Sequence, residues 1–213
     1  LNWYRDLFSI PALTTALRNS LLIAVISTII TVVLGTMVGL ALGRYRFRGK
    51  GLYDLTIFSA ISAPELVLGA SLLSLFVTIQ FIRGFPTILI AHVAFCIPFV
   101  AVTVRARVIG LDPSLEEAAQ DLGADPWTTF RKITLPLLAP GIMAGALLAF
   151  ALSIDDYVVT SFVNGQVETF PLWVYGATRV GVPPQVNVMG TLIFLGGVAI
   201  AVGNVVAARR QQA

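Results

Sequence analysis

The sequence predicts an all-α, polytopic membrane helix bundle, and three observations carry that prediction. Of 213 residues, 57% are hydrophobic and 12% charged, about half the ~25% charge of a soluble domain. Five runs are long and apolar enough to cross a bilayer, which takes about 20 residues per helix. The cations are concentrated on alternate connecting segments, as the positive-inside rule requires.

The predicted spans follow in order. Residues 21–43 carry no charge, and residues 55–82 carry only Glu65. Residues 85–104 hold no formal charge but include His92, residues 137–154 are uncharged and run into Asp155 and Asp156, and residues 186–208 are again uncharged. Ten of the fourteen cations follow the first, third and fifth spans, among them Arg44, Arg46, Arg48, Lys50, Arg105, Arg107, Arg131, Lys132, Arg209 and Arg210. The other side has Arg5, Arg18, Arg83 and Arg179. The carboxyl terminus is therefore expected in the cytoplasm and the amino end outside. An outside start leads us to expect one further helix before Leu1, so that residues 1–213 form a single transmembrane domain lacking its amino-terminal span. Gly35, Gly39 and Gly43, and again Gly141 and Gly145, recur at four-residue spacing, which lines one helix face with small residues and lets backbones approach. Pro64 and Pro98 fall inside spans, where each removes a backbone donor and favours a bend.

Several function classes drop out. Gly49-Lys50-Gly51 lacks the first glycine and the hydroxyl of a phosphate loop. No Cys/His spacing suits a metal, and no serine or cysteine motif suggests a nucleophile. The chain is not expected to be an enzyme or to bind a cofactor or metal of its own. A net charge of +3 gives no reason to expect nucleic acid. Cys96, the single cysteine, lies in an apolar run and allows no internal disulfide. His92 is expected to be a hydrogen-bonded packing residue.

Residues 105–136 are the most polar stretch, with Asp112, Glu116, Glu117, Asp121 and Asp125. Asp112-Pro113 and Asp125-Pro126 each set an N-cap acceptor before a proline suited to the first helical turn. Glu116 and Glu117 lie near the positive end of the first helix dipole, and Gly123 falls where that helix should stop. Two short helices joined by a tight turn are predicted at the cytoplasmic face. A segment that only joined two spans could be far shorter, so it reads as a docking element.

Glu117-Ala118-Ala119, three residues, Gly123, nine residues, then Ile133-Thr134-Leu135-Pro136 resembles the EAA signature of permease subunits in binding-protein-dependent ABC importers. The resemblance implies a type I importer permease with five visible spans and a cytoplasmic coupling-helix loop, whose Glu117, Ala118, Ala119 and Gly123 contact an ATPase. It also implies the partners: a second homologous permease, two ATPase subunits holding ATP and magnesium, a periplasmic or extracellular solute-binding protein, and the lipid of a bacterial inner membrane. Transport would proceed by alternating access. Arg44-Tyr-Arg-Phe-Arg-Gly-Lys50, Pro64-Glu-Leu-Val67, Arg105-Ala-Arg107, Asp112-Pro113, Ser153-Ile-Asp-Asp156 and Arg179-Val-Gly-Val-Pro183 are similar to motifs of the spermidine/putrescine permease family. Glu65 stands where many relatives of that family have Asp.

The acids suit such a cargo. Read as one continuous helix, the second span puts Glu65 about 16 Å beyond Asp54, near the midplane, where a carboxylate marks a pathway or a partner. Asp155 and Asp156 fall near the outer mouth. Neighbouring helical residues point roughly 100° apart, so one of the two should face the pathway, and the resemblance favours Asp155. It also makes Trp3 an aromatic position of the outer vestibule. Trp173 and Tyr175 suit either cation–π contact or an interfacial belt. Within the family the alternative is a permease for another small solute, although an anion importer should line its path with cations. In another class it is an ion-coupled secondary transporter, which would leave the EAA loop without a purpose.

Overall fold

The computed structural model describes residues 9–210, all of whose regular structure is helical. In chain order these are α1 (Pro11–Arg44), α2 (Lys50–Ser62), α3 (Glu65–Thr78), α4 (Phe85–Ile109), α5 (Ser114–Asp121), α6 (Pro126–Thr129), a π-helical turn (Phe130–Thr134), α7 (Leu135–Ile154), α8 (Val158–Val163), α9 (Phe170–Ala177) and α10 (Pro184–Arg210). Three helical stretches, Pro11–Arg44, Phe85–Ile109 and Pro126–Ile154, are long and apolar enough to cross a bilayer, and α2 with α3 makes a fourth if taken as one broken span. The fifth expected span corresponds to α10, whose described apolar part is Pro184–Ala199.

Helices α1, α4 and α7 form the central packing unit. The glycine repeat makes this possible. A Cβ added to Gly35 would lie 2.7 Å from Val100 Cβ, one on Gly39 2.7 Å from the Ala101 carbonyl oxygen, and one on Gly43 2.6 Å from Val108 Cγ1. Gly141 and Gly145 of α7 face the same helix, with Arg107 Cβ at 2.8 Å and Val100 Cγ1 at 3.2 Å from their added carbons. Close backbone approach here stands in for the hydrophobic drive that lipid removes. Cys96, Val100, Val104, Val108, Leu138 and Ala149 fill the buried centre.

The second span departs from expectation. It is two helices bent by 106°, with Ala63 extended at φ −68°, ψ 135° before Pro64. Proline disfavours helical geometry in the residue before it. Pro98, by contrast, lies inside α4 without ending it. The difference is packing: α2 buries no side chain, whereas α4 around Pro98 is buried at Cys96, Val100 and Ala101. The break also corrects the depth assigned to Glu65. That residue starts α3, exposed, instead of lying partway along a continuous helix.

The segment 105–136 is also less separate than expected. Only α5 stands apart, because α6 runs through the π turn into α7 and makes a 29-residue stretch, Pro126–Ile154. At the other end of the bundle, residues 161–185 are not plain loop. Helices α8 and α9 fold back against the bundle, with Thr87 Oγ1 donating to the Val163 carbonyl at 2.7 Å and the Phe170 amide donating to Ser20 Oγ at 2.8 Å.

Candidate functional site

Two regions gather chemistry, one at each end of the bundle. At the end formed by residues 105–136, Asp112 Oδ1 accepts the Ser114 amide at 3.0 Å, and Asp125 Oδ1 accepts the Thr128 amide at 2.6 Å. These backbone hydrogen bonds hold both carboxyl groups below the usual carboxylate range. Between them α5 ends in a left-handed turn, with Gly123 at φ +87° and the Ala124 amide donating to the Ala119 carbonyl at 3.0 Å. A Cβ on Gly123 would meet nothing within 4 Å, so it is the backbone angle, not crowding, that calls for glycine.

Glu117, Ala118 and Gly123 are exposed and Ala119 is half-buried. Around them stand two apolar side chains that sequence reasoning did not single out, Leu122 at 90% and Trp127 at 67% exposure. Trp127 stacks on Phe130 with centroids 5.8 Å apart. Large apolar groups held out from a polar turn would suit contact with another protein. Only their placement reveals this, since leucine and tryptophan beside a membrane span read as core or belt.

At the opposite end the chain leaves α7 at Asp155 and Asp156, and the two acids part company. Asp156 is buried. It accepts the Thr160 amide at 2.7 Å, the Thr160 hydroxyl at 2.6 Å and the Val159 amide at 3.2 Å, which fixes the start of α8. Its Oδ2 is 3.3 Å from His92 Nε2. His92 Nε2 lies 2.8 Å from Thr160 Oγ1, and Nδ1 lies 2.7 Å from Ser153 Oγ, itself 3.0 Å from Ser27 Oγ. The Thr160 hydroxyl donates to Asp156, and both ring nitrogens of His92 have a hydroxyl partner. The chain of bonds ties α1, α4, α7 and α8 together, which is the packing role expected of His92 and gives Asp156 a structural partner set.

Asp155 is free of that network and exposed. It lines a cavity of 540 Å³ with Tyr157, Phe170, Val174, Tyr175 and Phe194, within the ~300–1,000 Å³ range of small-molecule sites. Asp155 is the only carboxylate among the lining residues. The Tyr157 and Tyr175 rings pack with centroids 4.6 Å apart. Arg179 Nη2 donates to Tyr175 Oη at 3.1 Å, and its guanidinium carbon lies 5.2 Å from the Tyr175 ring centre. The face of this ring therefore already accepts one cation. Tyr157, two residues beyond Asp155, and the sequence-distant Phe170 and Phe194 were not foreseen.

The remaining expected residues lie elsewhere. Glu65 is exposed at the start of α3 and does not line the cavity. Trp173 is half-buried against the Leu13–Met189 cluster and does not line the cavity. Trp3 lies outside the described residues. No group of three or more possible metal ligands occurs among the described residues.

The described helices form a multi-pass membrane bundle with a polar turn projecting from one end. The chain belongs to the family described as "Binding-protein-dependent transport system inner membrane component", whose model matches residues 32–213. It is 41% identical over 202 residues to the spermidine/putrescine transport system permease protein PotC of Haemophilus influenzae, covering 94% of this chain and 79% of the relative. It is 43% identical over 206 residues to the putrescine transport system permease protein PotI of Escherichia coli K12, covering 93% and 73%. Among solved structures, a chain of the MetNI methionine ABC transporter superposes with a TM-score of 0.75 at 19% identity, covering 93% of this chain and 95% of that one. A chain of a bacterial ABC transporter that imports alginate gives 0.68 at 19% identity, covering 99% and 78%. The type I importer permease fold and the multi-pass membrane character are thus established.

Proposed function

We propose that this chain is the permease subunit through which a polyamine crosses the bacterial inner membrane by alternating access, with its carboxyl terminus cytoplasmic. The carrying observation is Asp155, a lone carboxylate in an aromatic-walled cavity at the outer end. A polyamine carries several positive charges, and stripping water from an ion costs several kcal/mol even after relaxation. A fixed carboxylate offsets part of that cost, and aromatic faces attract the remaining alkylammonium charge. Too many acids would hold the cargo, so a few separated ones suit conduction. Glu65 would serve as a second acid along the route. Names of the relatives support the same cargo.

In this reading Glu117, Ala118, Ala119 and Gly123 meet a separate ATPase that binds ATP and magnesium and does the hydrolysis. A second similar permease, a second ATPase and an external binding protein complete the assembly. Closure of the ATPases moves the docking loop and opens the path outward; hydrolysis lets it relax. The test is uptake into vesicles containing the whole assembly, challenged with putrescine, spermidine and unrelated solutes. Competition by polyamines alone is expected. Competition by an anion or an amino acid instead would overturn the cargo, and uptake that persists without ATP would overturn the class.

A further inference from the structure

Helix α5 is eight residues long and buries no side chain, so packing does not hold it in place, and helices this short are marginal by themselves. Glu116 supplies a polar anchor. One of its carboxylate oxygens pairs with Arg44, the last residue of α1. The other accepts the Thr134 hydroxyl at 2.8 Å. Thr134 is buried at the end of the π turn, where α7 begins. A single side chain therefore joins the docking helix to two membrane-spanning helices.

The geometry separates the two adjacent glutamates. Successive residues on a helix point about 100° apart, and here Glu117 is exposed while Glu116 turns inward. The Arg44 and Glu116 side chains are only 28% and 19% exposed, so their attraction is screened less than that of a surface pair. They line a 380 Å³ cavity with Met37, Leu111, Phe130 and Thr134, space into which the helix ends can shift. The π turn beside them is a form that recurs at functional positions in helices.

We infer that Glu116 is a positioning residue for energy coupling: through Arg44 and Thr134 it makes α5, the end of α1 and the start of α7 move as one. Glu117 faces the ATPase; Glu116 passes the displacement on. The inference rests on the reading of residues 105–136 as the ATPase-docking loop.

The test uses the whole transporter in proteoliposomes and reads polyamine uptake together with ATP hydrolysed per polyamine imported. Arg44→Glu and Glu116→Arg should each lower uptake about tenfold or more, as loss of a charge-assisted contact implies, and raise the ATP spent per polyamine. The double reversal, Arg44→Glu with Glu116→Arg, should recover most of the uptake. Thr134→Val keeps the side-chain volume and should shift the ratio the same way by less. Single variants with normal uptake and ratio, or a double reversal no better than the singles, would overturn the inference. If the reversed variants do not assemble, Glu116→Gln and Thr134→Val decide, and an unchanged ratio in both overturns it. Glu117→Lys separates this from the docking reading: full transport by that variant sinks the docking loop itself, whereas its failure beside normal Glu116 variants sinks only the clasp.

Discussion

The two ends of the bundle use polar side chains in opposite ways. At the end proposed to be cytoplasmic the conspicuous groups point outward: Glu117 is exposed, and Leu122 and Trp127 are held away from the protein on a turn fixed by Asp112, Asp125 and Gly123. At the outer end they converge. Asp155 faces a cavity walled by Tyr157, Phe170, Tyr175 and Phe194, while its neighbour Asp156 is buried against Thr160 and His92. A convex surface with apolar knobs suits a protein partner, and a concave one with a single charge suits a small cation. The adjacent acids teach the same lesson at finer scale: one residue of separation turns a free charge into a structural cap.

Predictions can break or sharpen that contrast. The largest effect should come from the scaffold that both ends share. Gly39→Leu drives a side chain into the Ala101 carbonyl, 2.7 Å from where its Cβ would lie, and helix backbones do not yield cheaply. Assembled complex recovered from membranes should fall to near zero, removing docking and uptake together. Glu117→Lys comes next. It should strip the ATPase from the purified complex and abolish uptake while membrane insertion persists, as co-purification will show. Asp156→Asn should cost about 1–3 kcal/mol, because an amide nitrogen cannot accept the amide and hydroxyl protons now pointing at it. The readout is a lower melting temperature of the detergent-solubilised complex. The smallest effect belongs to Gly123→Ala, about 1–2 kcal/mol for an L-residue in the left-handed region, with no clash to add. It should loosen ATPase attachment measurably in a binding titration without preventing it.

How much of this was legible beforehand depends on how local the information is. The turn proposed for docking is contiguous, and its caps, its glycine and its acids are spelled out within residues 105–136, so spacing alone located them. Even there the π turn and the fusion of α6 with α7 escaped notice, because no residue in Phe-Arg-Lys-Ile-Thr forbids an ordinary helix. The outer cavity joins residues near positions 155, 175 and 194, and nothing in a linear reading brings those together. One of the two adjacent acids does face the cavity, but not by the helical spacing expected, because α7 ends at Ile154 and both acids lie beyond it. The strength of the other's attachment, through Thr160 and His92, was not legible either. Proline was an ambiguous signal: Pro64 breaks its helix and Pro98 does not, and the difference lies in neighbours that tertiary structure supplies.

The most direct test of the central claim is polyamine uptake by Asp155→Asn in the complete transporter, scored against the amount of ATPase retained. Losing one charged contact of about 1.5–3 kcal/mol should weaken apparent affinity roughly ten- to hundredfold, with the ATPase still attached. Uptake by Asp155→Asn with wild-type affinity would contradict the account, leaving the outer cavity without a role and the docking loop as the only functional end of the molecule.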